Sequence, residues 1–133
     1  MSAEAEILRK YRTIAVVGLS SDEARDSHSV SKYMQAAGYR IVPVNPAETE
    51  VLGEKAHPTV ASIPAAVEIV NVFRRPEAVP RVVDDAIAAG AKVIWMQEGI
   101  VNEDAAAKAR EAGLEVVMDR CIRAEHRRMA ASA

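Results

Sequence analysis

The segment after the first apolar run carries side chains that suit an anionic ligand. Gly18-Leu19-Ser20-Ser21 follows that run, and Arg25 with Ser27-His28-Ser29 stands where a helix is predicted to begin. Serine hydroxyls, a guanidinium group and the free backbone N–H groups of a helix N-terminus all donate to phosphate or pyrophosphate. An ordinary strand-to-helix turn with Ser27 or Ser29 as the helix cap explains the same residues without a ligand. These residues alone therefore leave both alternatives open.

Two further polar clusters follow later apolar runs. Phe73-Arg74-Arg75 ends one of them, and guanidinium groups match phosphate oxygens in a forked geometry. Gln97-Glu98 ends another, where the amide can donate and accept and the carboxylate could act as a general base. A solvated arginine pair, an ion pair with Glu77 and a polar strand end are the corresponding explanations without a ligand. Both clusters gain meaning only from their place in the fold.

Asn45-Pro46 follows another apolar run and differs from the pattern of dinucleotide-binding proteins. The G-x-G-x-x-G motif requires glycines two and five positions after Gly18, where this chain has Ser20 and Glu23. The ribose hydroxyls of NAD are held by Asp or Glu at the end of the second strand, where this chain has Asn45. We therefore rank NAD below a nucleotide with different ribose chemistry.

Metal and nucleophile chemistry have little support in the sequence. The three histidines are scattered and there is one cysteine, so no metal site is expected. Cys121 lies near Arg120 and Arg123, cations that favour a reactive thiolate. A small residue packed at the start of a helix is the commoner explanation of such a cysteine. No catalytic residue is assigned.

Composition limits the class of protein. The 133 residues fit a single domain (1–133), with a leading helix in 1–12 and a frayed tail at 130–133. A formal net charge of -2 argues against a nucleic-acid binder that works by broad phosphate neutralisation. No apolar stretch approaches the length of a membrane helix. With one cysteine and no signal-like N-terminus, we expect a cytoplasmic protein.

Short apolar runs alternate with amphipathic segments, and this pattern predicts an α/β fold. The β-prone runs are 13–17, 40–45, 67–73, 92–97 and 114–119. Long crossovers make neighbouring strands parallel, and right-handed crossovers place helices on both faces. We expect a three-layer Rossmann-like fold with a five-stranded parallel sheet of order 3-2-1-4-5, and a local irregularity at Pro43. Ligands of such sheets bind beyond the carboxyl ends of the strands where the order reverses, here between the first and fourth strands.

Five segments, in their order and spacing, resemble the small stand-alone CoA-binding proteins. They are IAVVGLS at 14–20, VPVNP at 42–46, VFRRP at 72–76, VIWMQEG at 93–99 and MDRCI at 118–122. That family is similar to the N-terminal CoA-binding domain of the succinyl-CoA synthetase α-subunit. The resemblance spans nearly the whole chain and implies a nucleotide-binding domain of the Rossmann type.

The resemblance implies coenzyme A or an acyl-CoA as the cofactor, bound through its ADP moiety at the carboxyl edge of the sheet. By resemblance, the first loop faces the phosphates, and Gln97 and Glu98 flank the pantetheine arm. With the residue-based candidates, the cofactor-binding set is Gly18, Leu19, Ser20, Ser21, Arg25, His28, Ser29, Val44, Asn45, Pro46, Val72, Phe73, Arg74, Arg75, Gln97 and Glu98. The chain departs from the ligases in two places. Its first loop has fewer glycines, and Ala47-Glu48 stands where they have a basic residue after Asn-Pro.

The leading hypothesis is a CoA-binding module without catalysis of its own, because the synthetases' second domain and catalytic histidine have no counterpart here. The alternatives are a nucleotide-dependent enzyme, acting by acyl transfer or redox through Glu98 or Cys121, an NAD(P)-binding domain, and a module that docks a partner protein. The expected ligand is a small-molecule nucleotide rather than nucleic acid or a membrane. A protein partner or a homo-oligomer is left open.

Overall fold

The computed structural model describes residues 2–132 as alternating strands and helices. The strands are β1 (Thr13–Val17), β2 (Arg40–Val44), β3 (Glu50–Val51), β4 (Glu54–Lys55), β5 (Ile69–Val72), β6 (Val93–Met96) and β7 (Glu115–Val117). The helices are α1 (Ala3–Lys10), α2 (Asp26–Ala36), α3 (Val79–Ala88), α4 (Glu103–Glu111) and α5 (Ile122–Ala131), with 3₁₀ turns at Val60–Ser62 and Pro76–Ala78. The predicted α/β class is confirmed.

Five strands form one parallel sheet in the order β2-β1-β5-β6-β7. Among the long strands this order is 2-1-3-4-5, so the predicted order 3-2-1-4-5 is wrong. The third long strand, β5, pairs directly with β1, from Ile14 opposite Ile69 to Val17 opposite Val72. The reversal of strand order therefore lies between β1 and β5, and not between the first and fourth strands.

The outer edge of β2 explains why no long strand pairs there. The backbone N–H groups of a parallel strand alternate in direction, and Arg40 donates inward to Arg12 (2.8 Å). Pro43, three residues on, therefore has its nitrogen on the outer side, where it offers no donor. That side is covered instead by a bridge between Val44 and His57, in which His57 donates to the Pro43 carbonyl (3.0 Å). The proline thus keeps β2 a regular edge strand, and the irregularity predicted within it is absent.

Helices cover both faces of the sheet, so the predicted three-layer arrangement is confirmed. One face packs α3 and α4 against the sheet, with apolar side chains such as Val83 and Ala106 against Val70 and Ile94. The other face packs α1, α2 and α5, with Leu8, Met34 and Ile122 against Ile14, Val16, Ile69 and Trp95. Strands buried on both sides explain the nearly unbroken apolar runs of the sequence.

Helix ends agree with the sequence pattern in most places. Asn102 caps α4, since its Oδ1 accepts from the N–H of Ala105 (3.0 Å). Pro80 lies in the first turn of α3, where a proline is tolerated. The helix cap of α2 is Arg25, so the predicted capping by Ser27 or Ser29 is wrong. The last helix continues to Ala131, into the tail at 130–133 that was expected to be frayed, and Ala133 lies outside the described residues.

The short hairpin formed by β3 and β4 was not predicted. A two-residue turn joins the β3–β4 hairpin, and both turn residues, Leu52 and Gly53, have positive φ (55° and 77°). Leucine is rarely found in that conformation, so the sequence carried no signal for this turn.

Within residues 2–132, every helix is too short or too polar to cross a bilayer.

Candidate functional site

A cavity of about 560 Å³ opens at the carboxyl edge of the sheet, at the point where the strand order reverses. It lies between the end of β1, the start of α2 and the segment that follows β5. Its lining residues are Gly18, Ser20, Ala24, Arg25, Asp26, Ser27, Asn45, Phe73 and Arg74. Three segments that are distant in the sequence therefore meet at one site, as expected for a parallel sheet.

Gly18 is the residue that lets these segments approach each other. Its φ is +91°, and a Cβ built on it would lie 2.3 Å from the Phe73 carbonyl oxygen. The Gly18 N–H donates to the Val44 carbonyl, and the Phe73 N–H donates to the Val17 carbonyl, both at 2.8 Å. The same hypothetical Cβ would be 3.4 Å from Nε of Arg74, so the guanidinium group lies over the glycine. Only glycine fits this junction.

The N-terminus of α2 faces the cavity without a side-chain cap. Ser2 and Asn102 cap α1 and α4 with side-chain oxygens, but the cap of α2 is Arg25, whose side chain has no acceptor. The first N–H groups of a helix have no intrahelical acceptor. Those of Asp26 and Ser27 also have no other backbone or side-chain acceptor within residues 2–132. Two unpaired donors with the positive end of a helix dipole therefore border the cavity.

The loop between β1 and α2 satisfies most of its own N–H groups. Ser20 donates to Oγ of Ser27 (3.1 Å), Asp22 donates to Oγ of Ser20 (3.0 Å), and Ala24 donates to Oδ1 of Asp22 (2.9 Å). The N–H of Ser21 donates to a carboxylate oxygen of Glu48 (2.8 Å). The loop residues that line the cavity (Gly18, Ser20, Ala24 and Arg25) thus have paired N–H groups, whereas those of Asp26 and Ser27 are open to an anion.

Two buried or half-buried side chains hold the loop in position. Asn45 donates from Nδ2 to the Leu19 carbonyl (3.1 Å) and accepts at Oδ1 from the N–H of Ala47 (3.0 Å). His28 is 7% exposed, and its Nδ1 donates to the Ser20 carbonyl (2.9 Å). Both side chains are thus bound to protein groups, and they act on the site by fixing the loop.

A second cavity, of about 190 Å³, adjoins the first and shares Asp26 and Phe73 with it. Its lining residues are Asp26, Val30, Phe73, Gln97, Glu98, Ile100, Cys121 and Arg123. A third, more apolar cavity of about 220 Å³ shares Arg74 with the first. It is lined by Val17, Val44, Pro58, Thr59, Val60, Arg74, Ala78, Arg81, Val82 and Asp85. Phe73 and Arg74 thus each separate two neighbouring spaces.

The structure brings together about half of the residues expected to bind the cofactor. Gly18, Ser20, Arg25, Asn45, Phe73 and Arg74 line the first cavity, Gln97 and Glu98 line the second, and Val44 and Arg74 line the third. The remaining candidates lie away from these three spaces: Leu19, His28 and Val72 are buried, Ser29 is half-buried, and Ser21, Pro46 and Arg75 are exposed.

Sequence reasoning did not name several residues as site candidates. Ala24 and Asp26 belong to the first cavity, and Asp26 adds a carboxylate beside the two arginines. Ser27 was considered as a phosphate donor and as a helix cap but was left out of the cofactor-binding set; its hydroxyl accepts from the N–H of Ser20. Residues 58–60 line the third cavity and come directly after His57, which bridges to Val44 at the edge of β2.

The described residues do not offer a set of ligands for a metal ion. Among residues 2–132 no three His, Cys, Asp or Glu side chains are grouped as a metal ion would need. The cavity carries instead two guanidinium groups and a helix N-terminus, which are donors for phosphate oxygens.

A Rossmann-like α/β fold with a cavity at the reversal of strand order, lined by two arginines and a helix N-terminus, defines the general class of this protein. The chain belongs to the family described as "CoA binding domain", whose model matches residues 12–127. This assignment agrees with the resemblance noted in the sequence.

Three further comparisons show which known proteins the chain is similar to. It is 49% identical over 121 residues to the uncharacterized protein YneT of Bacillus subtilis (strain 168), covering 91% of this chain and 90% of that one. It is similar in structure to a hypothetical protein from Pyrococcus horikoshii OT3, with a TM-score of 0.93 and 44% identity, over 96% of this chain and 89% of the other. It is also 23% identical over 121 residues to an ADP-forming acetate–CoA ligase of Archaeoglobus fulgidus. That match covers 84% of this chain but 18% of the ligase, so the similarity is to one part of that much longer enzyme.

Proposed function

We propose that this protein binds coenzyme A or an acyl-CoA through its ADP moiety, as a single cytoplasmic domain without catalysis of its own. The observation that carries this proposal is the uncapped N-terminus of α2, which faces the first cavity together with Arg25 and Arg74. A pyrophosphate there would accept from the N–H groups of Asp26 and Ser27 and from the Arg74 guanidinium group. Family membership supports the choice of CoA among phosphate-bearing ligands.

The neighbouring cavities suit the two ends of the ligand. The third cavity presents apolar side chains, among them Val17, Val44 and Val60, and adjoins the first at Arg74, so it suits the adenine ring. The second cavity begins at Phe73 and continues past Gln97 and Glu98, so it suits the pantetheine arm. CoA would then cross the carboxyl edge of the sheet, with its phosphates at the reversal of strand order.

An NAD(P)-binding role is the less favoured alternative, for a specific reason. Both ends of the Asn45 side-chain amide are already bonded, to the Leu19 carbonyl and the Ala47 N–H. The residue at the end of β2 is therefore occupied where an NAD-binding domain presents a free carboxylate to the ribose. An enzymatic role through Glu98 has a weaker basis, because no second acid or base side chain is hydrogen-bonded to it within residues 2–132.

Thermal denaturation with CoA, acetyl-CoA, ATP, NAD and NADP, each at equal concentration, tests the proposal. At a concentration about 100 times the dissociation constant, a ligand of the folded state stabilises it by about 2.7 kcal/mol. For a domain of this size, that raises the midpoint temperature by roughly 10 °C. We expect CoA and acetyl-CoA to produce the largest shifts. A shift with NAD alone, or no shift with CoA, would overturn the proposal.

A further inference from the structure

Cys121 is the one cysteine of the chain, and it opens into the second cavity. It is the cap residue of α5, and its side chain makes no capping hydrogen bond. The thiol is half-buried beside Phe73, Gln97 and Arg123. It therefore stands at a helix N-terminus, where it packs against the apolar core and also lines the second cavity.

Gln97 offers a polar donor to the same space, independently of the cysteine. The residue is 4% exposed and lines the same cavity. Its Oε1 accepts from the N–H of Ile122 (2.9 Å), which fixes the start of α5 against the end of β6. Its amide nitrogen has no acceptor within residues 2–132. This nitrogen is therefore open to the cavity, where the amide carbonyls of a pantetheine arm are acceptors that it could take.

The charges around the thiol are mixed. Arg123 lines the cavity on the α5 side, Asp26 on the α2 side, and Glu98 follows Gln97 on the β6 side. Because Asp26 and Phe73 belong to both the first and the second cavity, the two spaces adjoin each other. This step depends on the proposed function: with the phosphates in the first cavity, the arm passes Phe73 and its sulfur end arrives near Cys121.

We propose that Cys121 is a thiol–disulfide exchange site for the pantetheine sulfur. The Cys121 thiolate attacks one sulfur of the disulfide of CoA, so that a protein–CoA disulfide forms as the original S–S bond breaks. The second CoA leaves as a thiolate and takes up the proton that Cys121 released. The electron count balances without another oxidant, because the CoA disulfide is itself the oxidised reactant. The product is a protein whose binding site is covalently filled.

Intact-protein mass spectrometry of the full chain, incubated with CoA disulfide, tests this inference. We expect one adduct per chain, reversible by dithiothreitol, since there is one cysteine. The matched control is pantethine, the same disulfide without the nucleotide. Binding of the nucleotide raises the local concentration of the disulfide, so the CoA adduct should form at least about tenfold faster than the pantetheine adduct. The thioether S-methyl-CoA should slow the reaction by competing for the site.

Calorimetric titration of the same protein with reduced CoA separates the two proposals. Binding of CoA with no adduct, or with equal rates for the two disulfides, would overturn the role of Cys121 and leave CoA binding standing. Absence of CoA binding itself would overturn the proposed function and this inference together. Tight binding with a preferred CoA adduct supports both.

Discussion

Replacing Arg74 with alanine should weaken CoA binding strongly, whereas the same change at its neighbour Arg75 should not. Arg74 is half-buried, lines the first and third cavities and lies over Gly18. Within residues 2–132 it has no carboxylate within 4.0 Å, so its charge is not already neutralised by an ion pair. Arg75 is exposed and lines none of the three cavities. The two variants remove equal charge from adjacent positions.

The size of the effect follows from the kind of contact that is lost. A hydrogen bond to a charged group contributes about 1.5–3 kcal/mol, which corresponds to roughly 10- to 100-fold in the dissociation constant. Arg75→Ala changes only a solvated charge, and we expect less than about threefold. Isothermal titration calorimetry at two salt concentrations measures both. The salt dependence should shrink in Arg74→Ala, because one phosphate-facing charge is gone.

Two results would refute this reasoning. Equal weakening in both variants would mean that general positive charge, rather than the position of Arg74, attracts the ligand. An unchanged affinity in Arg74→Ala would remove this residue from the site and leave the helix N-terminus as the anion-binding element. Circular dichroism of each variant serves as the folding control, since neither arginine is in the core.

Three further predictions concern stability and charge. Gly18→Ala should destabilise the fold by roughly 3 kcal/mol or more in urea denaturation. The control is Gly113→Ala, which should cost about 1 kcal/mol, because Gly113 has the same φ of +91° but open space around it. Equal losses would mean that the contact with the Phe73 carbonyl is unimportant. Glu48→Gln should raise CoA affinity about two- to fivefold at low salt and have no effect at high salt, because the change removes the negative charge of a carboxylate that is bonded to the first loop. A dissociation constant that is unchanged at low salt in calorimetry would contradict this. The pKa of His126 is lowered, first by burial and then by the Arg12 cation, so neutral His126 contributes fully to stability above the unfolded pKa near 6.5, and this contribution is lost as the pH falls below that value. His126→Gln should therefore reduce the loss of unfolding free energy between pH 7.5 and 5.5. Identical losses in the variant and the original protein would exclude this residue as the cause.

The surroundings of His126 explain that sign. Its Nδ1 hydrogen-bonds to the Tyr33 hydroxyl (2.7 Å), and its ring meets those of Tyr33 and Tyr39 edge to face. Arg12 lies over the Tyr39 ring, so a protonated His126 would be partly buried close to this cation. Folding therefore favours neutral His126, and the unfolded chain binds more protons below its own pKa.

The elements were predictable from the sequence because local and tertiary preferences agree in them. Apolar runs such as Ile14–Val17 are buried on both faces, and Asn102 caps a helix that begins with two acidic residues. The order of the strands was not predictable from these patterns. In the structure β2 is the edge strand, and the nitrogen of Pro43 lies on its outer side. The apolar run at 40–45 does not show which strand β2 pairs with.

The site was predictable as a region but not residue by residue. Segments that end parallel strands must meet at one edge, so the loop after β1 and the segment after β5 were correctly brought together. Which of two adjacent arginines faces the cavity depends on backbone direction after Phe73, and the sequence treats Arg74 and Arg75 alike. The bonds of Asn45, His28 and Glu48 to the first loop join distant segments and have no local signature.

Amide chemical shifts during a CoA titration of the ¹⁵N-labelled protein test the central claim most directly. If the pyrophosphate binds at the start of α2, the amide signals of Asp26 and Ser27 should move most, because their N–H groups gain an acceptor that they lack in the free protein. The amides of Glu103 and Asp104, at the capped start of α4, are the internal control and should stay in place. Large shifts at α4, or none at Asp26 and Ser27 once CoA is saturating, would contradict the account.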